Sequence, residues 1–537
     1  MYIYETLFIL FCVSFSATQK ARPNIIFILA DDLGWNDVSF HGSSQILTPN
    51  IDILAYSGII LNKYYVSPIC TPSRSALMTG KYPIHTGMQH HILYGGEPRG
   101  LPLGETLLPQ YLKELGYSTH MVGKWHLGSY KKVYTPTYRG FDSHLGFWTG
   151  HHDYSDHTAM ENGVWGLDFR RNMEIAWDLH GQYSTDIFTN EAEKIIKNHN
   201  KTAPLFLYFS HAAVHSGNPY NPLPAPDNYV AKFKNITNYQ RGRFAGVLTK
   251  LDESVGKVVQ ALQLNGMLEN SIIVFSSDNG GPADGFNRNA ASNWPLRGVK
   301  DTLWEGGVRA AGFLWSPLIT QNQRVSSQMV HITDWLPTLY HAAGGDVKKL
   351  TKLDGLDLWP SLTNNTDSPR EEILHNIDDE FGITAFTSGD WKYLNGSTYR
   401  GDWDSWYGPS GRTLDYDVNI ILNSTAAKSL SLICEIASKT TIQNLRNQAK
   451  VNCTDRIEEN DILSPCKPIN APCIFNTKLD PCEIYNLANK YPDMLKELQK
   501  RVEALRKTAI PPTNKPLDPK GNPKYWQYTW TNFGDYI

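Results

Sequence analysis

A cysteine opens one unusual segment of the chain, Cys70-Thr71-Pro72-Ser73-Arg74, which continues as Ser75-Ala76-Leu77-Met78-Thr79-Gly80. Proline is favourable in the first turn of a helix, so Pro72 predicts that a short helix begins at the cysteine. The free backbone N–H groups and positive dipole end of a helix start attract anions. The alternative interpretation is a buried structural cysteine, which is a common fate of a lone thiol. The segment predicts an anion site centred on Cys70.

Four oxygen-bearing side chains follow two apolar runs. Asp31 and Asp32 come directly after Ile25–Ala30, and Asp278 and Asn279 come shortly after Ile272–Phe275. Oxygen ligands of this kind suit calcium better than zinc, and magnesium remains open. Paired aspartates also serve as helix caps or turn residues, which is the structural alternative. Because the second pair follows a second apolar run, we predict a metal site.

Basic groups follow two further apolar runs. Lys124 and His126 come after Thr119–Val122, and His211 and His215 come after Leu205–Phe209. Continuous apolar runs are typical of buried strands in a largely parallel sheet, where ligands bind beyond the carboxyl ends of the strands. We therefore expect the polar groups at the four ends to converge. Other histidine pairs lack such a position and are left as walls of a substrate pocket: His90-His91 and His151-His152.

Helix-like stretches alternate with these strands. Leu107–Leu115 ends before Gly116, and Arg243–Leu264 carries a periodic apolar face, so we predict an α/β sandwich. From about residue 375 the sequence changes in character, because sequons and cysteines become concentrated. A final stretch with apolar residues at helical spacing begins at Pro492. We predict a smaller C-terminal α+β domain there, with the last aromatic residues packed against the main domain. Those residues are Trp526, Tyr528, Trp530 and Phe533.

Composition limits the class of protein. The 537 residues are 41% hydrophobic, and the formal charge of -3 gives no general attraction for nucleic acid. Residues 1–17 contain an apolar run of about ten residues, too short to span a membrane at about twenty, and we interpret it as a secretory signal cleaved near Ala17. No later segment predicts a membrane anchor.

The cysteines and glycosylation motifs agree with a secreted chain. Cys12 falls in the signal, and five cysteines cluster in the last quarter, which predicts two disulfides and one free thiol. Cys473 and Cys482 bracket a short segment and would pair across a hairpin, although the spacing does not fix the connectivity. Six sequons are available for glycans, at Asn200, Asn235, Asn364, Asn395, Asn423 and Asn452.

The segment from Cys70 to Gly80 resembles the modification signature of the type I sulfatases, specifically the arylsulfatase B group. The resemblance extends from Arg22 to about Ala488 and is most specific in the first 310 residues. It implies an alkaline-phosphatase-like sandwich with a large, mixed, mostly parallel sheet. It also implies a catalytic domain at 22–375 and, at 376–537, a smaller C-terminal domain with an antiparallel sheet.

The resemblance also implies a mechanism. The formylglycine-generating enzyme would oxidise Cys70 to formylglycine (3-oxoalanine), whose hydrated form would bind the metal and attack sulfur. One calcium ion would be held by residue 70 and the four oxygen-bearing residues after the strands. The other positions that match family motifs carry the remaining roles: Arg74 holds the hydrated aldehyde, Lys124 binds sulfate, His126 is the base, and His215 with Lys300 binds sulfate and protonates the leaving oxygen. His211 competes with His215 for its role.

Several functional alternatives stay open from the sequence. Arylsulfatase B acts on sulfated N-acetylgalactosamine in the lysosome, whereas related enzymes are secreted or act on small sulfated metabolites such as glucosinolates. Phosphatases of the same superfamily generally use serine or threonine with two zinc ions, and here Cys70 occupies the nucleophile position. A catalytically inactive binding protein of this fold is a third alternative. The expected function is hydrolysis of a carbohydrate or aryl sulfate ester.

Overall fold

One large mixed sheet of ten strands forms the centre of the molecule. The computed structural model describes residues 21–285, 289–453 and 465–537, so the predicted signal at 1–17 lies outside the described residues. In chain order the strands of the large sheet and of a separate hairpin (β5, β6) are β1 (Asn24–Ala30), β2 (Ile59–Tyr65), β3 (Ser118–Lys124), β4 (Ser143–Phe147), β5 (Thr158–Glu161), β6 (Val164–Leu167), β7 (Arg170–Arg171), β8 (Glu174–Ile175), β9 (Leu205–Ser210), β10 (Ser271–Ser277), β11 (Gly312–Trp315) and β12 (Arg324–His331).

The four predicted strands are neighbours at the middle of this sheet. The order across it is β12-β2-β11-β10-β1-β9-β3-β4-β7-β8, and β10, β1, β9 and β3 run parallel to one another. Every residue of β1, β9 and β10 is buried, because helices cover both faces of the sheet. The predicted α/β sandwich with a mostly parallel sheet is therefore confirmed, and the four carboxyl ends lie side by side.

Helices pack on both faces of the large sheet, and the last helix of the chain packs on a second sheet instead. Along the chain they are α1 (Pro49–Tyr56), α2 (Cys70–Thr79), α3 (Leu108–Glu114), α4 (Ser184–Asn198), α5 (Asp227–Val230), α6 (Tyr239–Leu264), α7 (Glu305–Val308), α8 (Trp335–Ala342), α9 (Trp359–Asn364), α10 (Val418–Leu422), α11 (Thr425–Leu430), α12 (Lys439–Ala449) and α13 (Pro492–Arg506). The long helix α6 begins four residues before the predicted Arg243, because the Asn238 side chain caps it by accepting from the Arg241 N–H at 2.9 Å. No helix in the described ranges is long and apolar enough to cross a membrane.

A second, antiparallel sheet lies towards the end of the chain. It consists of β13 (Glu372–Asp378), β14 (Ile383–Ser388), β15 (Trp391–Asn395) and β16 (Cys473–Asn476), in that order. Helix α13 covers it through Leu498 and Val502. Between β15 and β16, however, α10, α11 and α12 return to the large sheet and bury their apolar residues in the same core as α1 and α6. The C-terminal third of the chain thus contributes to both cores.

The disulfides confirm the predicted number but not the predicted pairing. Cys453 bonds to Cys482 and Cys466 bonds to Cys473, while Cys434 remains a free thiol. The expected link between Cys473 and Cys482 is wrong because the two side chains belong to different apolar clusters. Cys473 is buried with Phe475 and Trp304, whereas Cys482 is buried with residues from other parts of the chain: Trp35, Leu296 and Val451.

The C-terminal aromatic residues divide between packed and exposed positions. Trp530 is buried and its indole N–H donates to the Ala159 carbonyl at 3.0 Å, and the Phe533 ring lies 5.1 Å from the ring of Tyr130. These contacts hold the end of the chain on the main domain, as predicted. Tyr528, by contrast, stays 58% exposed.

Candidate active site

The four oxygen-bearing residues after β1 and β10 form one buried cluster. The Asp32 backbone N–H donates to Oδ1 of Asp278 at 3.1 Å, and Asn279 Nδ2 donates to Oδ1 of Asp32 at 2.7 Å. All four side chains, including Asp31, are at most 1% exposed. The Asn279 Oδ1 atom is buried and has no hydrogen-bond partner among the described residues. Adjacent parallel strands that end together bring these residues into contact.

Three residues of the site have left-handed backbone conformations that non-glycine residues rarely adopt. Asp32 has a φ of 60°, His126 a φ of 58° and Asp301 a φ of 65°. Each such conformation costs about 1 kcal/mol or more and persists only where the surrounding structure holds it. Asp32 and His126, each two residues past the end of a strand, are thus turned out of the extended path, and Asp301 is turned in the loop directly after Lys300.

Cys70 is the first residue of α2 and faces the carboxylate cluster. Its Sγ lies 3.9 Å from Oδ1 of Asp31, and the residue is 2% exposed. Ligand atoms of four buried residues lie within 4.8 Å of one another: Asp31, Asp32, Cys70 and His215. Burial raises the pKa of the Cys70 thiol to about 12 despite the nearby Lys124 and Lys300. An unmodified Cys70 is therefore a neutral thiol at physiological pH, and a thiol is a poor nucleophile.

Arg74 ties α2 to the ends of the central strands. Its guanidinium donates to Oδ2 of Asp278 from Nε at 3.2 Å and from Nη2 at 2.9 Å. From Nη1 it donates to the Lys124 carbonyl at 3.0 Å and to Ser210 Oγ at 2.7 Å. The Arg74 side chain is fully buried, so these bonds to three strand ends fix how α2 and Cys70 lie over the sheet.

Two lysines pair with the first two aspartates. Lys124 Nζ lies 2.5 Å from Oδ2 of Asp31, and Lys300 Nζ lies 2.6 Å from Oδ1 of Asp32. Both lysines are nearly inaccessible to solvent. With Arg74 they bring three basic side chains to the three aspartates, and burial together with Asp278 raises the pKa of Asp31 to about 8. A divalent cation held by the aspartates would add positive charge to this cluster and suit it to bind an anion.

His126 lies on the Cys70 side of the site. Its Nε2 is 3.0 Å from the Leu93 carbonyl, and its Nδ1 is buried without a hydrogen-bond partner in the described chain. Burial, with Lys124 and Arg74 nearby, lowers the pKa of His126 well below its ordinary value. The imidazole is therefore neutral. If Nε2 donates to Leu93, Nδ1 is an unprotonated nitrogen and can accept a proton.

The two histidines that competed for one role point in different directions. His215 Nε2 lies 3.3 Å from Oδ2 of Asp32 and so belongs to the cluster. The His211 ring instead packs 4.1 Å from the ring of Phe209, and its Nε2 faces Ser254 Oγ of α6 at 3.3 Å. The geometry brings His215 into the site and leaves His211 in the layer between the sheet and α6.

From the sequence we expected His151 to be only a wall of the substrate pocket, but in the structure it contacts the site. The His151 ring stacks parallel to that of His215 at 6.0 Å, and burial together with Lys124 and Lys300 lowers the pKa of His151 to about 4. β4 ends four residues before His151, but its residues, Ser143–Phe147, form no continuous apolar run, so the sequence offered only the position of His151 in a histidine pair. Its neighbour His152 is packed in the core against Phe147.

The other predicted wall residues contact the second sheet and Tyr94. His90 Nδ1 is 2.8 Å from Oδ2 of Asp378 and its ring is 4.5 Å from that of Phe381, so the β13–β14 loop contacts this segment. The His91 ring lies 5.6 Å from the ring of Tyr94. The second sheet thus packs against the segment that contains these two histidines.

Comparisons with known proteins agree with this geometry. The Sulfatase family model matches residues 23–345. Arylsulfatase J of Mus musculus is 43% identical over 517 residues, covering 95% of this chain and 80% of its own. N-acetylgalactosamine-6-sulfatase of Homo sapiens is 33% identical over 358 residues, covering 63% and 66%.

A solved structure extends the similarity to the whole fold. The crystal structure of Ps i-CgsB in complex with k-i-k-neocarrahexaose superposes with a TM-score of 0.70 at 28% identity, covering 92% of this chain and 94% of that one. The family model matches more than half of the chain, and the matched range includes the buried cluster at the strand ends. The chain belongs to the sulfatase family and is a sulfuric ester hydrolase.

Proposed function

We propose that this protein hydrolyses the sulfate ester of an N-acetylgalactosamine-type sugar, using formylglycine at position 70 and one calcium ion. The observation that carries the proposal is the position of Cys70, 3.9 Å from the Asp31 carboxylate and within a cluster that also contains Lys124 and Lys300. In one buried site, that arrangement would supply a modifiable nucleophile, metal ligands and sulfate-binding cations.

The residues present fit a calcium ion. The ligand set consists of the carboxylates of Asp31, Asp32 and Asp278 and the amide oxygen of Asn279, all of them hard oxygen donors. The unpartnered, buried Oδ1 of Asn279 supports the fit, because such an atom is costly unless a cation or donor satisfies it. When bound, the ion would favour the ionised form of the nucleophile and offset the charge of the sulfate oxygens.

Residue 70 would supply the nucleophilic oxygen after oxidation to formylglycine and hydration, and the Cys70 Sγ stands where an oxygen of that group would lie. Arg74 holds residue 70 in place through its bonds to Asp278. His126, kept neutral by burial, would accept the proton that accompanies release of sulfate.

Three side chains beside Asp31 and Asp32 would bind and activate the ester. Lys124 and His215 lie next to Asp31 and Asp32, where they can bind the sulfate oxygens. Lys300 would donate a proton to the departing sugar oxygen, which is a poor leaving group without one. His151, stacked on His215, would limit the orientations of the ester.

The biological setting is proposed from the chain and its relatives. The predicted signal, six sequons and two disulfides support folding in the secretory pathway, where the formylglycine-generating enzyme would act on Cys70. Lysosomal or extracellular turnover of sulfated carbohydrate agrees with the relatives named N-acetylgalactosamine-6-sulfatase. We retain 22–375 as the catalytic domain and 376–537 as the smaller domain, with α10–α12 packed onto the catalytic core.

The first experiment is the mass of the tryptic peptide that contains residue 70, after expression with the formylglycine-generating enzyme. A loss of about 18 mass units relative to cysteine identifies the aldehyde. The same preparation is assayed for inorganic sulfate released from N-acetylgalactosamine 4-sulfate and from nitrocatechol sulfate. Unmodified cysteine, or an aldehyde without release from either ester, would contradict the proposal.

A further inference from the structure

The buried carboxylate of Glu161 connects two loops that border the candidate active site. Glu161 is the last residue of β5, is 6% exposed and forms no ion pair within the described ranges of the chain. Its Oε2 accepts from the Gly95 backbone N–H at 2.5 Å, and its Oε1 accepts from the Gly150 backbone N–H at 3.1 Å. Burying a carboxylate is costly unless such bonds satisfy it. The two N–H groups therefore hold this carboxylate, and it holds both loops to β5.

The first loop supplies the carbonyl that His126 faces. Leu93 lies two residues before Gly95, and its carbonyl accepts from His126 Nε2 at 3.0 Å. A carbonyl oxygen can only accept, so Nε2 carries the proton and Nδ1 does not. The Leu93 N–H donates to Thr71 Oγ1 at 3.1 Å. Thr71 and Glu161 thus hold this loop on either side of the Leu93 carbonyl.

The second loop packs directly on the same imidazole. A Cβ atom built on Gly150 would lie 2.9 Å from both Cε1 and Nε2 of His126, and 3.7 Å from Oε1 of Glu161. Glycine lets the backbone approach the ring this closely because it has no side chain. Since Glu161 accepts from the Gly150 N–H, its carboxylate fixes how near the second loop lies to the ring.

A carboxylate suits this position better than an amide. Both of its oxygens accept, whereas a glutamine has one accepting oxygen and would direct its NH₂ group at one of the two backbone donors. Burial raises the pKa of Glu161 to about 7, although the N–H groups of Gly95 and Gly150 act against the rise. Above neutral pH the carboxylate is therefore ionised and can accept both bonds.

We propose that Glu161 is a positioning residue, which holds the Leu93 carbonyl and Gly150 against His126 and so keeps the imidazole in the tautomer whose Nδ1 can accept a proton. The inference rests on the proposed function. In the release step, the second hydroxyl of residue 70 gives its proton to His126 while its C–O bond to sulfate breaks and the aldehyde returns. Loss of the carboxylate should therefore slow release of sulfate and leave the earlier transfer of sulfate to residue 70 unaffected.

The kinetic test uses Glu161→Gln protein with formylglycine at residue 70, at pH 8, where the wild-type carboxyl is ionised. Nitrocatechol and inorganic sulfate released from nitrocatechol sulfate are followed, and the mass of the protein is measured during turnover. Asp252→Asn is the matched control. Asp252 is a buried carboxylate of α6 that likewise accepts two backbone N–H groups, those of Asn50 and Ile51, each at 2.9 Å.

We expect Glu161→Gln to lower kcat about tenfold, the effect of about one lost hydrogen bond. The ratio kcat/KM reports the first step and should change less than about twofold, with a burst of nitrocatechol and protein heavier by about 80 mass units. Asp252→Asn should lower Tm and give no burst. Gly150→Ala adds a Cβ that moves the same loop, so it should also give the burst, and it decides the question if Glu161→Gln does not fold. Equal losses of kcat and kcat/KM, or no loss, would overturn the inference.

A measurement without turnover separates this inference from the proposed function. In Cys70→Ala protein with nitrogen-15-labelled histidine, the nitrogen shifts distinguish a protonated from an unprotonated ring nitrogen, and His126→Gln identifies the signals of that ring. We expect a single tautomer, protonated at Nε2, when Glu161 is present and a mixture of tautomers in Glu161→Gln. An unchanged tautomer would overturn the positioning role. If the mixture appears while wild-type protein with formylglycine releases sulfate from no ester, the positioning role stands and the proposed function fails.

Discussion

Lys300 Nζ lies 2.7 Å from Oδ2 of Asp32, across 268 positions of the chain. Burial alone would lower the pKa of Lys300, but the Asp32 carboxylate outweighs it and holds the pKa above its ordinary value. Lys300 is therefore protonated at physiological pH. It is fixed beside the cluster that faces Cys70, and a metal ion that shared the Asp32 carboxylate would lower this pKa again, so that the ammonium could give its proton to a departing oxygen.

Replacing Lys300 should slow hydrolysis most for esters with poor leaving groups. We expect Lys300→Ala to lower kcat by about 10²- to 10⁴-fold on a sugar sulfate, the usual contribution of a general acid. The loss on nitrocatechol sulfate should be smaller, because an acidic phenol leaves without full protonation. Lys300→Arg retains the charge but holds its proton too tightly to transfer it, so it should restore KM more than kcat. Equal losses on both esters would remove the proton-donor role.

Replacing Cys70 by serine should separate the two halves of the reaction. A serine has one hydroxyl, so it can accept the sulfate group but has no second hydroxyl to expel it. We expect Cys70→Ser to release at most one equivalent of alcohol and to gain about 80 mass units, while Cys70→Ala does neither. Mass spectrometry after incubation with nitrocatechol sulfate measures both. Steady turnover by Cys70→Ser would contradict a mechanism that depends on formylglycine.

Removing the metal should reduce both activity and stability. Three buried carboxylates then lose a shared cation, and an ion present at a thousand times its Kd stabilises the fold by about 4 kcal/mol. We expect prolonged dialysis against a chelator to lower Tm and abolish sulfate release, and calcium to restore both. Asn279→Ala should need more calcium for the same activity. Full activity in protein shown by elemental analysis to lack metal would exclude a calcium role.

The strand ends could be predicted because the evidence for them is local. Ile25–Ala30 and Ile272–Phe275 are continuous apolar runs followed by acidic residues, and a parallel sheet requires that such ends share one edge. The start of α2 at Cys70 was likewise predicted from the position of Pro72. Each of these inferences needed only a short window of sequence and one rule about how strands assemble.

What could not be predicted depends on distances between remote segments. The pairing of Cys453 with Cys482 follows from packing near Trp35, which no spacing of cysteines reveals. The return of α10–α12 to the main core is similar, since an amphipathic helix does not specify the surface that it covers. His151 reaches His215 only because the loop after β4 folds over the strand ends.

His211 should affect stability rather than chemistry. Burial lowers its pKa to about 3, below the ordinary value of 6.5, so the folded protein binds a proton there less readily than the unfolded chain does. The free energy of unfolding therefore decreases as pH falls below about 6.5, and the decrease from this histidine reaches about 2 kcal/mol at pH 5. We expect His211→Gln to reduce the loss of unfolding free energy between pH 8 and pH 5, with kcat little changed. His215→Gln should instead lower kcat, and the reverse pattern would exchange the two roles.

A buried ionic network anchors the segment that carries Lys300. Lys392 Nζ of β15 lies 2.9 Å from Glu305 and 2.8 Å from Glu483, and all three side chains are fully buried. The Glu305 N–H also donates to Oε2 of Glu483 at 2.7 Å. Because Glu305 begins α7 only five residues after Lys300, the second sheet holds this part of the site in place.

Breaking the network should therefore reduce both stability and turnover. We expect Lys392→Met to lower the free energy of unfolding by about 3–5 kcal/mol, since it removes the cation that both buried carboxylates share and leaves Glu305 with Arg309 as its ion-pair partner. It should also lower kcat more than it raises KM, because Lys300 loses its fixed position. Lys392→Met combined with Glu483→Gln should recover part of the stability, and Lys439→Met, at an exposed position, is the control. Urea unfolding and steady-state kinetics measure the two effects, and an unchanged kcat in the destabilised single variant would show that the network supports the fold but not Lys300.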